Sequence, residues 1–101
     1  MIRWTDAEFT LTIPEVDLTA CSAIRVTLRQ NDYVVDIADA EVLDAHSLQC
    51  QLTQRQTAGF AVLAPARIQV NWLDGNGKRR ATEIAEVPTL GNLLEEVLAD
   101  A

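Results

Sequence analysis

The chain has 101 residues, a length that favours one domain (1–101) built around one core. Hydrophobic residues make up 49% and charged residues 23%, which is typical of a globular protein rather than a disordered or collagen-like one. Eight basic against fifteen acidic residues give a net charge of −7. We expect no nucleic acid as a partner, because non-specific binding to nucleic acid depends on neutralising phosphates.

Membrane and export signals are not evident in the sequence. No apolar run approaches the roughly 20 residues of a membrane-spanning helix, so we expect no membrane partner. The opening segment Met1–Asp6 does not combine a basic stretch with an apolar one, as a secretory signal does. We therefore expect a protein that is cytoplasmic when it is made.

Alternating apolar and polar residues, the pattern of half-buried strands, recur through the first half of the chain. Pro14 ends the first of these runs because it cannot donate a ladder hydrogen bond. Asn31 and Asp32 predict a hairpin turn between the second run and the third. The fourth run is short and acidic, as edge strands often are. The predicted strands are 8–13, 23–30, 33–37, 39–43 and 47–52.

The second half begins with a helix signal. Thr53 and Gln56 have capping-box spacing, which predicts a helical turn over 54–58, and Gly59 is expected to end it in the left-handed conformation. Ala66–Leu73 then alternates as a strand, and the residues 74–77 (Asp-Gly-Asn-Gly) predict a tight turn. Residues 79–87 break the alternation, which we interpret as a bulge or an edge position.

Seven short strands separated by turns predict an all-β protein, an immunoglobulin-like two-sheet β-sandwich. The sequence lacks the cysteine pair and the tyrosine of antibody domains, so the term describes the architecture only. The expected core residues share the inward positions of the alternating runs. They are Phe9, Leu11, Ile24, Val26, Leu28, Val35, Leu48, Cys50, Leu52, Ile68, Val70 and Trp72.

Residues with catalytic chemistry are few, and they form no motif. His46 is the single histidine, and no GxSxG nucleophile elbow accompanies it, so we interpret it as a solvated loop residue. Cys21 and Cys50 form no CxxC pair; free thiols are favoured, with one disulfide as the alternative. We expect no catalytic residues and no enzymatic activity.

The sequence also shows no cofactor or metal motif. Four carboxylates in the region of the fourth strand could be imagined around calcium, but they lack the spacing and the central glycine of an EF-hand loop. We interpret them as charges that deter edge pairing. They are Asp36, Asp39, Glu41 and Asp44. The expectation is no cofactor and no metal.

The C-terminal part of the chain (88–101) is expected to form an appendage. Its large aliphatic residues recur at helical spacing, which predicts a helix near 90–98 that begins afresh after Pro88. They are Leu90, Leu93, Leu94, Val97 and Leu98. A helix of about ten residues is marginal alone, so something must cover this apolar stripe. It either folds back over its own sandwich or binds a protein partner, including a second copy.

Several segments of strand-and-turn sequence carry a resemblance. They are Ile2–Thr5 with Phe9–Pro14, Ile24–Thr27 with Gln30, Leu52–Gln54, and the strand, turn and strand around Asp74-Gly75. In these segments the chain resembles small proteins encoded in prophages and mobile elements of gut bacteria, and it is similar to the amino-terminal sandwich domains of phage baseplate proteins. The resemblance implies a virion- or tail-associated β-module without enzymatic activity.

Two functions follow from the sequence as expectations. The first is a non-catalytic structural or protein-interaction module of phage or prophage origin, associated with a tail or baseplate. The alternative is a small ligand- or carbohydrate-binding module, for which exposed aromatic side chains such as Trp4 would form the platform.

Overall fold

The computed structural model describes residues 1–62 and 64–98. They form an all-β sandwich of two antiparallel sheets, as predicted, with eight strands rather than seven. The strands are β1 (Ala7–Thr12), β2 (Ser22–Gln30), β3 (Tyr33–Ile37), β4 (Glu41–Val42), β5 (Ser47–Leu52), β6 (Ala66–Leu73), β7 (Arg79–Ala81) and β8 (Ala85–Val87). One 3₁₀ turn (Leu18–Ala20) and one short helix, α1 (Gln54–Ala58), complete the elements.

The smaller sheet has the order β1-β5-β4, and the larger one has the order β3-β2-β6-β7. Strand β8 joins the larger sheet by pairing with the first residues of β6, so that β7 and β8 share one side of that strand. The chain crosses between the sheets after β1, after β3 and, through α1, after β5. The sandwich therefore forms only when segments distant in sequence come together.

The core lies between the two sheets and is formed by alternate residues of their strands. Nine of the expected residues are buried, whereas Phe9, Leu11 and Ile24 pack at its margin. Two large side chains outside the strands complete it: Leu18 from the 3₁₀ turn and Phe60 from the segment after α1. The buried set is Leu18, Val26, Leu28, Val35, Ile37, Leu48, Cys50, Leu52, Phe60, Ala66, Ile68, Val70 and Trp72.

The irregular stretch after the 74–77 turn has a specific cause. Thr82 lies between β7 and β8 and interrupts the pairing of this stretch with β6. Its amide donates to the Val70 carbonyl (2.9 Å), and its hydroxyl accepts from the Val70 amide (3.1 Å). The Gln69 side chain donates to the Thr82 carbonyl at 2.9 Å. Thr82 thus divides the predicted strand into two, and it still provides hydrogen-bond partners for both backbone groups of Val70 on β6.

Both ends of α1 agree with the predicted helical turn over 54–58, but the conformation of Gly59 does not. The Thr53 hydroxyl accepts from the Gln56 amide, and the Gln56 side chain accepts from the Thr53 amide, which completes the capping box. Gly59 was expected to be left-handed; its φ is −71°, an ordinary helical value. The glycine is required for another reason, because a Cβ at this position would overlap the phenol ring of Tyr33.

The predicted helix near 90–98 is wrong: no residue of this segment is helical. In a helix the Leu90 carbonyl would accept from the Leu94 amide, but here it accepts from the Arg3 amide (2.9 Å), and Leu94 donates to the Asn92 side chain (3.1 Å). The Leu98 amide likewise donates to the Gln54 side chain at 2.9 Å. Partners from elsewhere in the chain use the backbone groups that a helix needs. Residues 99–101 of the predicted appendage lie outside the described residues.

Candidate functional site

The segment 90–98 folds back onto its own chain as an irregular strap. Leu90 forms a parallel bridge with Ile2, and its amide donates to the Met1 carbonyl at 2.7 Å. The Asn92 side chain donates to the Arg3 carbonyl at 3.1 Å. At the far end, the Gln54 side chain donates to the Leu98 carbonyl (3.2 Å) and accepts from the Leu98 amide. The strap is therefore held by polar backbone contacts at both ends.

The leucines of this strap remain largely in solvent. Leu90 is 58% exposed, Leu98 is 59% exposed and Leu93 is completely exposed, whereas Val97 is half-buried. The sequence offered two alternatives, a stripe that covers its own sandwich or one that meets a partner. The backbone of the strap follows the first alternative, but four of its five predicted aliphatic residues still face water.

Two residues that the sequence did not indicate extend this apolar area. Ile2 lies beside Leu90 in the bridge and is 45% exposed. Val62 is half-exposed and lies near Gly91. We call this area the terminal surface and define it by Ile2, Val62, Leu90, Leu93, Leu94 and Leu98. No local pattern relates its three segments, because their proximity depends on long-range pairing.

A shallow depression of about 350 Å³ adjoins the terminal surface. Val62, Pro88 and Thr89 are among its lining residues. Thr89 is buried, and its hydroxyl has no hydrogen-bond partner among the described residues. Two more such atoms lie close in sequence to Ile2: Nε of Arg3 and the indole nitrogen of Trp4. A buried polar atom without a partner lowers stability, so these three atoms mark a less well satisfied part of the described structure.

His46 and Cys21 each make a hydrogen bond to a backbone carbonyl, and Cys50 is buried in the core. His46 is exposed, its Nδ1 lies 2.9 Å from the Val16 carbonyl, and its amide donates to the Asp44 side chain. That hydrogen bond holds the pKa of Asp44 below its ordinary value. Both cysteines are free thiols. Burial raises the pKa of Cys50 to about 11, and burial also raises the pKa of Cys21, so neither thiol is activated as a nucleophile.

The four carboxylates considered for calcium are dispersed. Asp36 is on β3 and pairs with Arg25, whereas Glu41 is on β4 in the other sheet. Among the described residues, no three His, Cys, Asp or Glu side chains are placed to share a metal ion.

The longest helix in the described part of the chain has five residues, and none could cross a membrane.

The aromatic side chains are buried or half-buried in the fold. Tyr33 and Phe60 meet edge to face with ring centroids 4.8 Å apart, and the Tyr33 hydroxyl donates to the Gln56 carbonyl. Trp72 is buried, and Phe9 packs at the margin of the core. Trp4 is half-buried, with a backbone φ of 66°. The aliphatic terminal surface, rather than an aromatic platform, is thus the candidate binding site.

Comparison of the chain with protein-family models, with curated proteins and with solved structures returns no match.

Proposed function

We propose that this protein is a non-catalytic structural and interaction module that binds a protein partner through the terminal surface. The observation that carries the proposal is the group of exposed aliphatic side chains which three distant segments bring to one part of the molecule. Exposed aliphatic side chains grouped in this way are a common feature of interaction sites on small domains. Leu93, whose side chain is completely exposed, is its most accessible member.

The partner is proposed to be a component of a phage-like tail or baseplate, with the protein virion-associated. Only the resemblance of the strand-and-turn segments supports this origin. A small antiparallel sandwich that offers an aliphatic surface, and whose histidine and cysteines serve structural contacts, is consistent with such a component.

The carbohydrate-binding alternative receives no support from a specific observation. Sugar-binding platforms need an exposed ring, and every aromatic side chain of the chain is buried or half-buried. We therefore propose the protein-binding function alone.

The test is co-purification of the tagged protein with the products of its neighbouring genes, in two variants. Leu93→Glu places a charge in the terminal surface and should abolish co-purification, and it should not affect folding because the native side chain is completely exposed. Leu43→Glu is the matched control: Leu43 is 48% exposed and lies between β4 and β5, outside the terminal surface. An equal effect of the two changes, or none, would refute the assigned surface. Neighbouring genes that encode only metabolic enzymes would refute the tail assignment.

A further inference from the structure

The outer face of the larger sheet has a charge opposite to that of the chain as a whole. Its strands place four arginines outward, against the carboxylates Asp36 and Glu86. This face therefore carries a formal +2, which leaves −9 for the rest of a chain whose net charge is −7. We call it the basic face and define it by Arg25, Arg29, Arg67 and Arg79.

Two of these arginines stand side by side. Arg29 on β2 and Arg67 on β6 are directly opposed in the antiparallel register, so their side chains leave the sheet on the same face. Like charges in this relation destabilise a sheet. Among the described residues the ion pairs are Arg25–Asp36 and Arg80–Asp74. Arg67 has Glu86 opposite it on β8, whereas Arg29 has Val34 opposite it on β3 and donates from its Nε to the Asn31 carbonyl at 3.1 Å.

Exposed aliphatic side chains flank this arginine pair. Val34 on β3 is opposite Arg29 and is 48% exposed. Ile84 is 49% exposed and, with both arginines, lines a groove of about 230 Å³. The groove thus offers two guanidinium groups beside apolar surface, which fits a polypeptide segment that carries both carboxylates and aliphatic residues.

The same chain contains a segment of that chemistry. In the strap, Glu95 and Glu96 are exposed and stand between Leu93-Leu94 and Val97-Leu98. Its described ends are tied to Arg3 and Gln54, and the segment between them lies outside any helix or strand. The acidic strap and the basic face are complementary in both charge and hydrophobicity.

From this complementarity we infer that the basic face binds the strap of a second copy of this chain, with Arg29 and Arg67 pairing with Glu95 and Glu96. The inference rests on the proposed function, since it uses the same strap, and it adds a second copy of the chain as a further partner beside the tail component. Each copy presents both halves of the contact. The two carboxylates of the second copy would neutralise the charge that Glu86 leaves on the opposed arginines, neither of which forms an ion pair among the described residues.

Charge reversal tests this contact directly. At low salt the wild type should show a mass of a dimer or more in sedimentation, falling toward the monomer as salt screens the charges. The variants Arg29→Glu/Arg67→Glu and Glu95→Arg/Glu96→Arg should each be monomeric. An equimolar mixture of the two should associate again, because each reversed surface then meets one of opposite charge. Arg55→Glu/Lys78→Glu is the control with the same change in net charge, at two exposed sites outside the basic face, and should associate like the wild type.

A single substitution separates folding from association. Arg29→Glu places a carboxylate directly opposite Arg67, which should raise Tm by a few degrees at a protein concentration where both proteins are monomeric. At higher concentration the same change should weaken association at least tenfold. A loss of association with a lowered Tm would instead indicate damage to the sheet and overturn the assignment.

Several results would refute the inference. They are a wild type that stays monomeric at low salt, a mixture that does not regain association, and a control that loses it. An oligonucleotide that binds the monomeric wild type through Arg29 and Arg67 would assign the basic face to phosphate instead. In each case the proposed function would still hold if co-purification with neighbouring-gene products depends on Leu93. Failure of the self-association inference can therefore be distinguished from failure of the proposed function.

Discussion

Replacing Gly59 with alanine tests whether the glycine is needed for space or for backbone conformation. The φ of −71° is one that alanine adopts freely, so the backbone alone would gain about 0.4–1 kcal/mol from the substitution. The added methyl group would meet the Tyr33 ring, and overpacking of this kind costs about 1–3 kcal/mol. If the ring moves away, the hydrogen bond from its hydroxyl to the Gln56 carbonyl is lost, at about 1 kcal/mol.

We expect Gly59→Ala to lower the free energy of unfolding by about 1–2 kcal/mol, measured by urea denaturation followed by circular dichroism. Gly75→Ala is the control, because a Cβ there would make an ordinary contact, 3.9 Å from the Ala20 carbonyl. In a Tyr33→Leu background the cost of Gly59→Ala should disappear, since the ring is gone. An undiminished cost in that background would refute steric overlap with Tyr33 as the reason for the glycine.

Four other predictions follow from the described contacts. Val70→Ala should cost about 2 kcal/mol or more in thermal denaturation, because Val70 is buried; a melt within a degree of the wild type would contradict the register of β6. Thr53→Ala should cost about 1 kcal/mol by removing the cap of α1, and Thr53→Ser should restore most of it. Cys50 should resist iodoacetamide at about pH 8 until the protein is denatured, and rapid labelling of the native protein would argue against its burial. Hydrogen bonds, first from the Lys78 amide and next from Arg80, lower the pKa of Asp74, so its contribution to stability is present above its ordinary pKa of 3.8 and is lost as the pH falls below it. Asp74→Asn should flatten the dependence of Tm on pH in that acidic range, and an unchanged acid limb would contradict this role.

Local signals predicted the elements that depend on neighbouring residues. The capping box of Thr53 and Gln56 gave the bounds of α1, and the Asn31 turn, where φ is 51°, gave the β2–β3 hairpin. The short acidic run near Glu41 became an edge strand, as its charge and length indicated. In each case the determining contacts lie within a few positions along the chain.

Prediction failed where distant residues compete for the backbone. The spacing of the strap leucines is helical, but Arg3 and Gln54 take the hydrogen-bonding groups of Leu90 and Leu98. Nothing in the local sequence of either partner indicates that choice. For the same reason the sequence indicated the strap residues of the terminal surface but not Ile2, which reaches it only through the long-range bridge to Leu90.

The central position of β6 has a consequence for the order of events during folding. This strand joins β2 to both β7 and β8, yet it follows β2 by more than a third of the chain. While the polypeptide is being synthesised, the β2–β3 hairpin can form early, but the second edge of β2 has no partner until Ala66–Leu73 leaves the ribosome. Closure of so large a loop makes the β2–β6 pairing a slow step. In that interval the unpaired edge of β2 is exposed to association with other nascent copies, so expression at lower temperature or with a chaperone should improve the yield of folded protein.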